Sequence, residues 1–268
     1  MEEIGDEYFN NVLKRAPLGS FHEVLPLHQS QDVTWKEVRD KEPLFPRGWY
    51  ELAHLSSEDR IDFTKEYWLS RMPYHAKLMG AIQHFFSSLD DVGVYLLQKE
   101  IGEPFEACLM YHLKEDKGFF RGKPSADDED IFEVEKVFKD AIPPPDYLAF
   151  LRIHNGFSKA ADTGLVTTYD LEDRTREFRQ LIDLEDPIIT ATGALVNPDS
   201  LIPFYESFGM PVYQCFWTEW YPNSEMGNVY YSGIDNSLSD VIRSHTSTDN
   251  LAFKSFSDWL VFYLEILA

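Results

Sequence analysis

Apolar positions recur along this chain in two rhythms, a helical spacing near 3.6 and short runs that alternate or stay apolar for five to eight residues. SSEDRIDFTKEYWLSRM, from Ser56, opens on serines able to cap a helix, has acids in its first turn, and ends on Arg71 before Pro73. It predicts a helix, and KLMGAIQHFFSSL, from Lys77, predicts a second and more apolar one. VGVYLLQKE and EACLMYHLKE, divided by a Gly-Pro turn region, predict the strands of a hairpin. Upstream, Pro17, Gly19, Pro26, Pro43 and Pro46 recur too closely for long elements. The first 45 or so residues are therefore expected to be irregular, with short helices near Tyr8 to Leu13 and Thr34 to Arg39.

GFFRGKPSADDEDIF, rich in glycine, proline and acid, has the composition of a surface connection and places a boundary near Ser125. Residues 1–125 then form an N-terminal α+β region and residues 126–268 a second domain. In the latter, a helix is expected from about Asp130 to Phe138, followed by IPPPDYLAFLRIHNGFSK. Proline suits a helix's first turn, where its missing N–H has no intrahelical partner. Tyr147, Phe150, Leu151 and His154 follow at helical spacing, and Asn155-Gly156 can take the left-handed conformation that closes a helix. After a loop from Ser158 to Gly164, LVTTYDL reads as a strand and DRTREFRQLI as a helix or turn. LIPFYES, MPVYQCFW and GNVYYSGI read as three strands, and SFSDWLVFYLEIL as a helix capped by Ser255 or Ser257. The order of elements gives an α+β class.

Composition narrows the function. With 268 residues, 44% hydrophobic and 15% aromatic, the chain can bury a core without staples. Its two cysteines, Cys108 and Cys215, match no zinc or C-x-x-C spacing and read as reduced thiols. MEEIGDEYF lacks the features of a secretory signal, and no stretch approaches the roughly 18 apolar residues of a membrane span, so a soluble cytoplasmic protein is expected. Acids outnumber bases 46 to 24, for a net charge of -22 and a pI near 4.6. Binding to a phosphate backbone is opposed, whereas an acidic surface keeps the chain soluble or steers a basic protein toward it.

Motifs with a mechanical meaning are missing: no HExxH, G-x-S-x-G, P-loop or Rossmann glycine pattern occurs. His112, on a predicted strand, and His154, at a helix end, read as structural. No catalytic residue, metal or cofactor is expected. YQCFWTEWYPNSEMG offers a contact surface instead, with Trp217, Trp220 and Tyr221 as aromatic anchors and Glu219 and Glu225 as acids. The competing reading is that the two tryptophans close the core. Asp127, Asp128, Glu129 and Asp130 are a second candidate, read more simply as solvated.

Five blocks carry a resemblance. Ile142, Pro143, Tyr147, Phe150, Leu151, Asn155 and Gly156 make an Ile-Pro, aromatic, apolar, Asn-Gly helix, and Ile202-Pro203-Phe204 opens a strand. Tyr213 and Phe216 mark its paired strand, Gly227, Val229 and Tyr230 a Gly-x-Val-Tyr strand, and Ser255, Phe256, Trp259 and Leu260 a closing helix. Their order resembles the SUKH superfamily of cell-wall synthesis regulators and toxin-immunity proteins, over roughly residues 131–268. The resemblance implies a mixed sheet flanked by helices and a cofactor-free protein-binding role. That role is either neutralising a cognate nuclease- or deaminase-like toxin or acting as an intracellular regulator or adaptor. The signature helix is then structural, and residues 1–125 have no counterpart.

Overall fold

A computed structural model describes residues 21–30, 32–159, 162–183, 187–190, 193–207, 211–233, 237–239 and 251–265. The segment Tyr8 to Leu13 lies outside them. The chain divides into two compact units, one with the chain to Ser70 plus Gln83–Pro124, the other with Arg71–Ile82 plus Ser125 onward.

In chain order the elements begin with β1 (Glu23–Pro26), α1 (Trp35–Lys41), α2 (Arg47–Ala53), α3 (Ser57–Arg71), α4 (Ala76–Ser87), β2 (Leu89–Gln98), β3 (Phe105–Leu113) and β4 (Phe119–Gly122). The strands of the first unit run antiparallel in the order β1-β2-β3-β4. Two expectations change here. The proline-rich start supplies β1, which Pro26 tolerates because an outermost strand has N–H groups that need no ladder partner. FFRG (Phe119–Gly122) is a strand rather than a connection, because Phe119 and Phe120 are buried and their burial outweighs the glycines at 118 and 122. Thr34 caps α1 through a reciprocal capping box with Glu37, and Ser56 accepts from the Asp59 N–H at the start of α3.

The core of this unit is aromatic. Trp68 is fully buried, its ring 5.8, 5.4 and 5.6 Å from those of Phe85, Phe86 and Tyr111, and its indole N–H donates to the Tyr111 hydroxyl. Beside it α3 is fastened to β2 by charge. Arg60 Nη2 donates to Asp91 Oδ2 at 2.6 Å, Arg60 Nε donates to Asp91 Oδ1 at 3.0 Å, and Nη1 donates to the Leu55 carbonyl.

The second unit continues with α5 (Asp128–Phe138), α6 (Pro145–Leu151), β5 (Phe157–Lys159), β6 (Gly164–Leu165), α7 (Leu171–Asp183), β7 (Leu201–Glu206), β8 (Val212–Trp217), β9 (Asn228–Ser232), β10 (Ser237–Leu238) and α8 (Phe256–Glu265). Its sheet runs β10-β9-β8-β7-β6, with every described pairing antiparallel where the resemblance implies a mixed sheet. The acid run Asp127 to Asp130 starts α5: Asp127 accepts from the Glu129 and Asp130 N–H groups, Asp130 returns the bond, and Asp128 pairs with Arg152. LVTTYDL keeps only its first residue in a strand. Thr167 then donates to Asp170 and Thr168 bonds to Asn155, local bonds that compete with a sheet ladder and turn the chain into α7.

The signature helix is the hub of this core. Pro145 occupies the first turn of α6, and Tyr147, Phe150 and Leu151 are fully buried while Ile142 stays 80% exposed. Tyr147 packs against Phe204, Phe216 and Phe256, and Phe204 lies 4.2 Å from Phe216 and 5.0 Å from Trp259, ring to ring. Asp146 ties α6 to α8 by accepting from both the N–H and the hydroxyl of Ser257, and Ser255 is the α8 cap.

Asn155 has a different task from the one its spacing predicts. Gly156 alone takes the left-handed conformation, at φ 108°. Buried Asn155 instead clamps Thr168, its Nδ2 donating to the Thr168 hydroxyl and its Oδ1 accepting from the Thr168 N–H, each at 2.8 Å. Asn155→Ala leaves that buried N–H without a partner and is expected to lower unfolding free energy by about 1–3 kcal/mol. Urea denaturation checks this, and a loss below about 0.5 kcal/mol refutes the clamp.

Candidate partner-binding surface

The tight turn after β8 is built by backbone bonds: the Trp220 N–H donates to the Trp217 carbonyl, the Gly227 N–H to Trp220, and the Trp217 N–H to Gly227. The Trp220 ring approaches Gly227 so closely that any Cβ there would run into the indole. Glycine is required at that position by the close approach. Thr218 anchors the turn to Ser200 through its N–H and its hydroxyl, and Asn197 Nδ2 donates to Glu219 Oε1 at 3.4 Å.

This loop gathers all five residues expected to make contact, in two roles. Trp217 and Trp220, 6.2 Å apart, are half-buried and pack against a cluster that includes Phe178, Ile182, Ile188, Val196 and Tyr231. Trp217 Nε1 is buried without a hydrogen-bond partner. Glu219, Tyr221 and Glu225 point outward, with Tyr221 48% exposed. Closing the core and lining the surface are thus divided among neighbouring side chains.

A second element beside the loop is one that the motifs do not reveal. Two short segments, 187–190 and 193–196, pair as the arms of a small hairpin around the antiparallel Ile189–Leu195 bridge, with the Val196 N–H donating to the Ile188 carbonyl and the Thr190 N–H to Ala194. Ile188 and Val196 face the core cluster, while Ile189 and Leu195 are 60% and 72% exposed. Its only signal in the sequence is the alternation of PIIT and GALV around a glycine.

Both cysteines and two of the histidines are sheltered. Burial pushes the Cys108 thiol up to about 11 and raises Cys215 well above its ordinary value, so neither is a thiolate at neutral pH. His154 is buried with its ring stacked on Phe157 rather than meeting the α6 dipole, because α6 ends three residues earlier. Burial lowers His112 to about 4, with Asp91 opposing the shift and His28 adding to it. Among the described residues, no group of three or more His, Cys, Asp or Glu is placed to hold a metal ion, and no helix is long and apolar enough to cross a membrane.

A family model described as the SMI1 / KNR4 family (SUKH-1) matches residues 125–261, just over half of the chain. It spans α5 to the body of α8 and so contains the aromatic loop, the hairpin and the signature helix. No curated protein and no solved structure matches.

Proposed function

From the premise that the chain belongs to the SMI1 / KNR4 family (SUKH-1), we propose that it is a protein-binding module of the immunity type. Its partner is a basic protein, of the nuclease- or deaminase-like toxin class, that it captures and neutralises. The observation that supports this most is the loop at 217–225, where aromatic side chains meet Glu219 and Glu225 on a chain of net charge -22. Such a surface offers a cationic partner rim carboxylates around an apolar centre and speeds its approach. It needs no cofactor and no catalytic group. Because the first unit lies wholly outside the matched segment, a second reading is a regulator or adaptor in which that unit engages another protein.

The test is capture on the immobilised full chain. A basic protein held at about 50 mM salt and released at about 500 mM is expected, since screening shortens the reach of exposed charges. Glu219→Lys with Glu225→Lys should abolish capture at an unchanged melting temperature, and Tyr221→Ala should weaken it about tenfold. Equal retention of the basic protein by the charge-reversed chain would sink the reading, and capture of acidic or signalling proteins would favour the second one.

A further inference from the structure

On a strongly acidic protein, cations gathered in a concavity stand out. Between α5 and α7 lies a groove of about 300 Å³ lined by Lys136, Lys139, Arg176 and Arg179, with Thr175 and one carboxylate, Glu172. We propose that this groove binds a small anion carrying more than one phosphate group.

Three observations carry the proposal. The first is the strain at Lys139. The Lys139 N–H donates to Lys136 and the Ala141 N–H to Phe138, and Lys139 sits at φ 55°, ψ -113°. That is the first central position of a type II′ turn, which glycine fills without cost and lysine does not. The position gives up stability and gains a cation on the groove.

The second is donor capacity. Arg179 Nε is buried with no hydrogen-bond partner, although Asp199 Oδ1 lies 3.3 Å away as an ion contact. Arg176 gives a single bond, to Asp173 Oδ1, from a guanidinium with five N–H donors. A phosphate, with several acceptor oxygens, matches such forks bidentately.

The third is how weakly the cations are already engaged. Lys136 and Arg176 pair with Glu133 and Asp173, and all four side chains are 51–64% exposed. Exposed pairs contribute little, so a multivalent anion can displace them at small cost. The end of α5 with the turn that follows it contributes two of the cations and the body of α7 the other two, which favours a ligand with charge at both ends over a monovalent one.

The experiment is calorimetric titration of the full chain with inorganic pyrophosphate, and with orthophosphate for comparison. One saturable site is expected, with pyrophosphate bound more tightly than orthophosphate. Arg176→Gln with Arg179→Gln should weaken it at least about tenfold. Lys139→Gly should raise the melting temperature while weakening pyrophosphate binding, a pairing that a purely structural lysine would not produce. Absence of saturable binding overturns the proposal. So does an equal loss on Lys36→Gln, an exposed lysine of the other unit, or full affinity in the Arg176/Arg179 double variant.

Discussion

Asp91→Ala is expected to lower the unfolding free energy of the first unit by about 3–5 kcal/mol, the usual loss when one partner of a buried ion pair is removed. The Arg60 side chain is only 7% exposed, so its charge cannot turn to water when Asp91 is lost. Burial works against the Asp91 carboxylate, yet the hydrogen bonds and charge of Arg60, helped by His28 and Ser57, hold its pKa below the ordinary value. The pair also sits at the irregularity between Leu89 and Asp91 in β2, where Asp91 Oδ1 accepts from the Val92 N–H. Removing it frees both the helix and the strand start. Urea denaturation at neutral pH measures the loss, with Arg60→Met plus Asp91→Leu as contrast. The double variant should recover much of the stability, because an apolar pair leaves no orphaned charge. A loss below about 1 kcal/mol in Asp91→Ala would mean that the pair is effectively solvated.

Acidification is expected to destabilise the same unit through His112. Burial lowers its pKa from 6.5 to about 4, while Asp91 and Asp90 raise it and His28 and Arg60 lower it further. The unfolded chain binds the proton once the pH falls below 6.5, whereas the folded chain refuses it until about 4. Stability is therefore full above that window and lost as the pH falls through it. The whole loss approaches about 3 kcal/mol, because each pH unit crossed within the window removes about 1.4 kcal/mol. The folded-state pKa of Asp91 lies below 3.8, so its own contribution disappears at lower pH and the two effects separate. His112 lies beside the rings of Tyr95 and Phe119, which makes His112→Phe a compatible replacement. Denaturation at pH 7, 5.5 and 4.5 should show a shallower fall in the variant, the curves differing by about 2–3 kcal/mol at the lowest pH. Parallel curves would place His112 in water.

The same two residues show where reading a sequence stops. His112 lies on an apolar strand and reads as structural from its position alone, but its depressed pKa depends on burial and on the Arg60, Asp90, Asp91 and His28 charges brought around it. Nothing in the spacing of Arg60 and Asp91, 31 positions apart, marks them as partners. The aromatic loop is visible as a run of tryptophan, tyrosine and glutamate, while its division into core-closing indoles and outward Tyr221, Glu219 and Glu225 requires knowing which cluster lies beneath. Lys139 carries no sequence signal at all, because a lysine after a helix looks like ordinary dipole compensation.

What the sequence determined by itself is what short-range physics controls. Proline at the start of α6, serine and aspartate caps, the 3.6-residue spacing of Tyr147, Phe150 and Leu151, and the short apolar runs of β2, β3, β7, β8 and β9 each act within a few residues. These suffice for the α+β class and for the family blocks. Long-range packing is what makes Phe119 and Phe120 a strand, has Asn155 clamp Thr168, sets segments 187–190 and 193–196 beside the tryptophan loop, and brings four cations to one groove. Each depends on long-range burial or on hydrogen bonds between separate segments, where desolvation and neighbouring charge outweigh local preference.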